Sequence, residues 1–341
     1  MTRRVALLLV AGLLTACSTP PSSSPSAVPS ASSSVAEATP SPSVGPALPE
    51  SQDLDAASAL HIAATPSPDW VTLAGDSAWV AGVGAGVGRY DRHTGAVLAE
   101  VPLTGEICLA MDAGFGSLWL GNCSTNQIVR IDEVSGEIVA TSERIPEGIQ
   151  GESSVAVGED GVWFLTAGTH PKLIKIDPAT NAVAATFEAP QFSTSVRAGF
   201  GALWVTNSTD GNVARIDPAD GSVVAVIPTG AFADFLAVGD DAVWVQNNDD
   251  GTVSRVDPAK NAIAATIRVS GRPVQGGDIA FGGGSVWARV SDVLIAQIDP
   301  ATNSVVARFG ESWGSGSVAA DDEAVWISAH EVLSVWRLPL P

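Results

Sequence analysis

The sequence has few basic residues for its length. It contains 17 Lys and Arg residues against 37 Asp and Glu in 341 residues, which gives a formal net charge of −20. Because nucleic acids, phosphate-rich ligands and anionic lipid headgroups are bound by clusters of Lys and Arg, this balance argues against all three. We therefore expect no nucleic-acid partner. We interpret the acidic surface as a source of solubility, with an acidic docking patch as the alternative.

Histidine is also scarce, and the sequence lacks the usual motifs of catalytic and metal sites. Its four histidines form no His-x-x-x-His pair and no cluster with carboxylates, so no zinc site is predicted. No nucleotide-binding loop and no nucleophile elbow occurs. We accordingly expect no metal and no cofactor.

Long hydrophobic runs are missing as well. The one sustained apolar run, residues 5–14, is too short to span a bilayer as a helix. It follows Arg3 and Arg4 and ends in Leu-Thr-Ala-Cys at residues 14–17, and this arrangement resembles a bacterial lipoprotein signal peptide. The resemblance implies cleavage before Cys17, diacylation of its thiol, and a lipid-anchored protein on the extracytoplasmic face of the cell membrane. An ordinary secretory signal with an incidental cysteine is the alternative.

The segment after Cys17 differs in composition from the rest of the chain. Residues 18–50 are almost entirely Ser, Pro, Ala, Thr and Val, with hardly any charge and no aromatic residue. Such a composition cannot bury enough apolar surface to fold, which predicts a disordered tether. The predicted organisation is a signal peptide (1–16), the lipidated cysteine with its tether (17–52) and one folded domain (53–341).

Tryptophan recurs through the folded domain at intervals of 39 to 44 residues. A repeat of this length with turn signals between short strands is typical of a β-propeller, in which each repeat forms one four-stranded blade. The sequence predicts an all-β, seven-bladed propeller. The repeating tryptophans are Trp79, Trp119, Trp163, Trp204, Trp244, Trp287 and Trp326.

Two further features belong to the repeat. A basic-apolar-Asp triplet follows six of the tryptophans, with a glutamine at the basic position in one repeat, and we interpret its Asp as a turn residue that accepts backbone N–H groups. The chain ends after the third strand of the seventh repeat, which would leave an open sheet edge. Residues 57–63 have the pattern of a fourth strand, so we expect them to close the ring.

Departures from the repeat are the candidate functional positions. Seven residues before each tryptophan, five of the seven innermost strands carry a small residue, but two carry Asp112 and Arg197. Because a buried lone charge is costly, these two are predicted to form an ion pair in the central channel or to bind a ligand there. A second polar group is expected around one mouth of the channel, with a simple turn role as the alternative for its asparagines. Its members are Asn122, Asn207, Asn247 and Arg289.

The two remaining cysteines, Cys108 and Cys123, both fall in the second repeat. One enters the first strand and the other leaves the second strand, so antiparallel pairing brings them opposite each other. In an exported protein this predicts a disulfide, with a metal pair or a catalytic thiol as the lesser alternative.

The repeat also resembles a known family. Gly-Ala-Leu-Trp-Val-Thr-Asn at residues 201–207 and Gly-Asn-Val-Ala-Arg-Ile-Asp-Pro at residues 211–218 are similar to the repeats of the bacterial seven-bladed YVTN and streptogramin-lyase propellers. That resemblance implies the fold over residues 57–341. The lyases act by magnesium-assisted elimination with catalytic histidines near the central mouth. The equivalent stretches here, such as residues 191–196 and 231–236, contain no histidine, so those roles are not transferred.

Two functions remain open from the sequence. The first is a non-enzymatic, membrane-tethered binding or scaffold module, expected to be a monomer, for a protein, peptide or glycan. The alternative is a divergent metal-assisted lyase or hydrolase that uses carboxylates such as Asp112, Asp234 and Asp278. Convergence of these carboxylates with Arg197 in one pocket would favour an enzyme or a small-ligand site, because fold alone does not decide function.

Overall fold

The computed structural model of the protein describes residues 47–84 and 86–341. The predicted signal peptide, Cys17 and most of the predicted tether lie outside these residues. The described residues form β-strands and one short 3-10 helix at His330–Val332, with no α-helix. Nowhere in this part of the chain is there a helix long and apolar enough to cross a membrane.

The strands follow the repeat that the tryptophans predict. Two short strands, β1 (Ser51–Gln52) and β2 (Leu60–Ala63), precede the first full sheet. Blades one to three contain β3 (Val71–Ala74), β4 (Ser77–Val83), β5 (Gly86–Asp91), β6 (Val97–Pro102), β7 (Ile107–Gly114), β8 (Ser117–Asn122), β9 (Gln127–Asp132), β10 (Ile138–Thr141), β11 (Val155–Gly158), β12 (Gly161–Leu165), β13 (Lys172–Ile176) and β14 (Val183–Glu188). Blades four to seven contain β15 (Ser193–Gly199), β16 (Ala202–Asn207), β17 (Asn212–Ile216), β18 (Val223–Pro228), β19 (Ala233–Val238), β20 (Val243–Asn247), β21 (Thr252–Asp257), β22 (Ala262–Arg268), β23 (Asp278–Gly282), β24 (Ser285–Arg289), β25 (Ile295–Asp299), β26 (Ser304–Phe309), β27 (Val318–Ala320), β28 (Ala324–Ala329) and β29 (Ser334–Pro339).

These strands form seven sheets, and the prediction of an all-β, seven-bladed propeller is confirmed. In each blade the four repeating strands pair antiparallel, and the first of them lies innermost, around a central channel. Neighbouring innermost strands contact each other from blade to blade around the ring. The loops that lead into the innermost strands lie on the same face as the loops that follow each second strand. We call this face the entry face.

The ring closes through its N-terminal strand, as the sequence predicts. β2 pairs antiparallel with β29 and completes blade seven, in the order β2-β29-β28-β27. β1 is a further addition: it pairs parallel with β26 and makes blade six a five-stranded sheet. The boundary expected at residue 53 therefore falls too late, because Ser51 and Gln52 already belong to the folded sheet.

The repeating tryptophans occupy the interfaces between blades. Each is at most 1% exposed and lies in the second strand of its blade. Three of them donate their indole N–H to the carbonyl oxygen of a glycine on the innermost strand, as Trp204 does to Gly199 at 3.1 Å. In five blades a basic side chain from the third strand lies over the indole ring, as Arg215 does over Trp204 at 5.4 Å.

The basic-apolar-Asp triplet is a structural part of every blade that carries it. Arg215 of blade four donates to the Pro258 carbonyl at 2.6 Å and to the Asn261 side chain at 3.0 Å, both in the turn of blade five. Asp217 accepts the backbone N–H of Ala219 at 2.8 Å, and the Asp residues of the other triplets make the same bond. The interpretation of these Asp residues as turn residues is confirmed.

Candidate functional site

The central channel contains a cavity of about 290 Å³ that residues of all seven blades line. Three charged side chains border it: Asp112 on β7, Arg197 on β15 and Asp278 on β23. Convergence of four residues in one pocket would favour an enzyme or a small-ligand site, namely Asp112, Arg197, Asp234 and Asp278. Asp234 does not line this cavity and belongs to the mouth above it.

Asp112 and Arg197 share the cavity, but the ion pair, one of the two alternatives that the sequence left open, is not among the salt bridges of the described residues. Asp112 accepts the N–H of Val157 on the neighbouring blade at 2.7 Å. Arg197 donates to the carbonyls of Val155 and Val196, and its guanidinium lies 5.5 Å from the Trp70 ring. Burial raises the pKa of Asp112, and the charge of Arg197 opposes that rise. Both residues therefore tie innermost strands together.

Asp278 makes a similar link but keeps one free oxygen. Its Oδ2 accepts the Ser317 hydroxyl at 2.7 Å and the Val318 N–H at 3.1 Å, both on blade seven. Its side chain is buried, and within the described residues its Oδ1 has no hydrogen-bond partner. Burial raises the pKa of Asp278, and Arg197 again opposes the rise. An unpartnered buried carboxylate oxygen beside a cavity is an acceptor available to a ligand or to water.

Three further carboxylates have raised pKa values at the entry-face mouth of the channel: Asp69, Asp234 and Glu152. Burial raises the pKa of Asp69 to about 6, with Asp278 and Glu331 adding to the shift and Arg289 opposing it. Burial also raises the pKa of Asp234 to about 6. We call the group Asp69, Glu152, Asp234, Asp278 and Glu331 the acidic mouth.

Glu152 is the most telling member of the acidic mouth. Its pKa is raised to about 7, and loss of solvation is the largest cause. The negative charges of Asp69, Asp234 and Asp278 add to the rise, while His330 opposes it. Glu152 is exposed on the surface of the mouth, and the carboxylates of those three Asp residues add negative charge beside it. Uncompensated negative charge therefore collects at this mouth.

The wall of the mouth around Glu152 and Asp234 encloses a second cavity, of about 380 Å³. Phe232 lines it and is 43% exposed. Its backbone has a φ of 56°, a left-handed conformation that is unfavourable for a bulky residue, and the ring is held out at the mouth instead of packing into the core. An exposed aromatic ring beside carboxylates suits a ligand that is cationic at one end and apolar along its length.

The disulfide predicted between Cys108 and Cys123 is present, with a Cα–Cα distance of 5.0 Å. Both cysteines line the same cavity as Glu152 and Asp234. The disulfide joins β7 to the loop after β8 and braces the wall of the mouth formed by blade two.

The polar sector expected around the mouth does not line either cavity. Its asparagines are at most 4% exposed and serve nearby turns: Asn122 donates to the Thr104 carbonyl at 2.7 Å, and Asn207 donates to the Gln191 carbonyl at 2.8 Å. Asn247 donates to Thr252 and Ser254 within its own blade. These contacts support the turn role that the sequence left open for them.

Arg289, the fourth member of that sector, is 1% exposed and donates to the backbone carbonyls of Leu294 and Gly314. Burial lowers its pKa to about 10, and the charges of Glu331, Asp278 and Asp69 oppose that change. The buried Arg289 guanidinium is therefore a fixed positive charge near the acidic mouth. It offsets only part of the negative charge of that group.

Asp69, Glu152, Glu331 and Phe232 were not identified from the sequence. Asp69, Glu152 and Glu331 lie outside the repeating strands, whereas Phe232 has a counterpart in Phe192, which precedes β15 with a φ of 59° and 40% exposure. In the part of the chain that the structure describes, no group of three or more His, Cys, Asp or Glu side chains is placed to hold a metal ion. The carboxylates of the mouth and channel thus share a region without forming a metal-ligand cluster.

Comparison with known proteins supports the fold and nothing finer. No protein-family model matches the chain, and no curated protein matches its sequence. Solved structures that it resembles include virginiamycin B lyase from Staphylococcus aureus, with 17% identity and a TM-score of 0.68 over 83% of this chain and 99% of that one. A streptogramin B lyase has 18% identity and a TM-score of 0.68, over 83% and 98% of the two chains. The WD40 repeats of RRP9 have 13% identity and a TM-score of 0.67, over 82% and 97%.

Proposed function

We propose that this protein is a membrane-tethered, extracytoplasmic binding module that takes a positively charged peptide segment into the acidic mouth of its propeller. The observation that carries the proposal is the convergence of Asp69, Glu152 and Asp234 at one mouth with pKa values raised to about 6, 7 and 6. Burial is the largest cause of each rise, and in the described residues none of the three carboxylates has a salt-bridge partner that would supply a positive charge. A cationic ligand would supply that charge.

The surroundings of these carboxylates favour a peptide over a bare ion. The mouth has no three-ligand metal cluster among the described residues, and its cavity of about 380 Å³ is lined by Phe232 and Phe235 as well as by acids. A Lys or Arg side chain places a charged head near carboxylates and an aliphatic stem along an aromatic ring.

The location of the module is argued from the sequence. The lipoprotein-like signal with Cys17 and the Ser/Pro/Ala-rich segment at residues 18–50 favour a propeller held away from a membrane on its outer side. A strongly acidic domain would be repelled by anionic headgroups. This arrangement would leave the entry face free for a partner in the extracytoplasmic space.

The alternative of a metal-assisted lyase has less support. Both side-chain oxygens of Asp112 accept backbone N–H groups, from Ala113 and Val157, and none of the residues that line the channel cavity is a histidine. An elimination needs a base that can reach a substrate proton.

The test is a binding titration with an acetylated and amidated tetralysine peptide at pH 7.5. Replacing Glu152 by Gln and Asp234 by Asn in one double variant removes two charges from the mouth. At somewhat under 1 kcal/mol for each charge, we expect the affinity to fall about tenfold. Isothermal titration calorimetry measures the change directly.

A matched double variant separates the mouth from the general acidity of the protein. Glu159→Gln with Asp322→Asn removes one Glu and one Asp that are exposed on the opposite face. We expect this variant to bind tetralysine with nearly the wild-type affinity. Equal weakening by both double variants would show that the peptide senses only net charge, and the proposal would then fail.

A further inference from the structure

Two tryptophans outside the repeat stack against each other at the edge of blade seven. The rings of Trp313 and Trp336 lie 4.9 Å apart with an interplanar angle of 11°. Trp336 is buried, at 6% exposure, whereas Trp313 is only half-buried in the loop after β26. Both line a cavity of about 650 Å³. Trp336 therefore supports one face of the Trp313 ring beside a cavity large enough for a small ligand.

The N-terminal segment builds the opposite wall of this groove. The Ser51 hydroxyl donates to the Gly310 carbonyl at 2.6 Å, and the Gly310 N–H donates to the Gln52 carbonyl at 2.9 Å. Leu54 is buried in the same hydrophobic cluster as Trp336. The wall is thus fixed by strand pairing and by a buried anchor.

The polar residues of the groove define what can bind. Asp53, Asp55 and Glu311 line it together with Gln52, and no Lys or Arg is among the lining residues. Ser51, His61 and Ser334 also line the groove and can donate hydrogen bonds, but the three carboxylates disfavour an anionic ligand. Asp55 and Glu311 make no side-chain hydrogen bond with any residue in the described ranges, so their oxygens are available as acceptors.

We propose that this groove binds a neutral sugar ring of a glycan. A hexopyranose has one face of C–H groups that packs against an indole ring and hydroxyls around its edge that donate to carboxylates. The groove offers the indole of Trp313 and the carboxylates of Asp55 and Glu311 around one cavity. The loop at residues 310–316 carries Trp313 and also contacts the acidic mouth, where the Ser315 N–H donates to Glu331 at 2.9 Å, so the two proposed sites are neighbours with different lining residues.

The test is saturation-transfer-difference NMR of the full-length protein with maltopentaose, cellopentaose and mannopentaose. We expect at least one of these neutral sugars to receive saturation from the protein at millimolar concentration. Trp313→Ala should lower the affinity for that sugar at least tenfold, because the indole ring on which the sugar stacks is removed. Phe200→Ala, which removes an exposed aromatic ring from the opposite face, should leave its affinity unchanged.

A second variant keeps the test decisive if Trp313→Ala destabilises blade seven. Glu311→Gln alters an exposed residue and should lower the affinity for the sugar several-fold. The double variant with Glu152→Gln and Asp234→Asn should leave that affinity unchanged. The proposal is overturned if none of the three sugars binds, or if Trp313→Ala and Glu311→Gln both bind as tightly as wild type. It is also overturned if tetralysine, and no sugar, occupies the groove in a Trp313-dependent way.

Discussion

Replacing Ile62 by Asp lowers the free energy of unfolding by about 4 kcal/mol, the largest loss expected from one substitution in the N-terminal segment. Ile62 lies in β2, opposite Val335 of β29, and packs in the cluster that contains Tyr90 and Trp326. A carboxylate there must be buried between blades seven and one, or β2 must leave the sheet. Either outcome opens the ring, and equilibrium unfolding in guanidinium measures the loss.

Leu60→Asp is the matched control for this prediction. Leu60 lies in the same strand, paired with Arg337, but it is 42% exposed. The same charge placed there should change the free energy of unfolding by no more than about 0.5 kcal/mol. Equal losses in the two variants would mean that β2 does not close the ring through its buried face.

Trp204→Ala costs about 3 to 5 kcal/mol. The Trp204 side chain is fully buried, donates to the Gly199 carbonyl at 3.1 Å and lies beneath Arg215. Truncation leaves a large void between blades and removes the surface on which Arg215 packs. Thermal and denaturant unfolding should both report the loss.

Phe200→Ala provides the control within the same blade. Phe200 is 36% exposed in the turn between β15 and β16, so its removal should change stability by about 0.5 kcal/mol or less. If Trp204→Ala were as mild as Phe200→Ala, the repeating tryptophans would not be the packing elements that the repeat implies.

Much of the fold could be predicted because the same packing arrangement recurs in each blade. Each blade must fill its interface with the next, so Trp204 and its counterparts recur at a nearly constant spacing. The closing strand could be predicted because an open blade seven would expose a sheet edge. β1 could not: a two-residue parallel strand has no periodicity, and its pairing depends on tertiary contacts with β26.

The candidate site could be predicted only in part. Asp112 and Arg197 were recognised because they replace small residues at a repeating position, and both do line the channel. Their partners could not be predicted, since the hydrogen bond from Val157 to Asp112 depends on how one blade lies against the next. Glu152 lies in an irregular loop, where no repeat provides a reference, and Phe232 has a counterpart in Phe192, so it does not depart from the repeat.

There is a physical reason why the fold could be predicted from the sequence more fully than the candidate site. The strands of a propeller satisfy one another's backbone groups and leave little freedom for variation, so ligand specificity is carried by loops and by channel-facing side chains. Here Asp69, Glu152 and Glu331 reach the mouth from segments outside the strands, while the strand residues Asp112 and Asp278 fasten neighbouring blades. The acidic mouth is therefore supported by a rigid ring.

Proton release on binding tests the central claim most directly. At pH 6.5, Asp69, Asp234 and Glu152 are partly protonated because their pKa values are about 6, 6 and 7. A bound cation favours the ionised carboxylates and lowers their pKa values, so protons leave. Calorimetric titration with tetralysine in buffers of different ionisation enthalpy should show about one proton released per peptide at pH 6.5 and almost none at pH 8.5. Binding without proton release at pH 6.5, or with equal release at both pH values, would contradict the account.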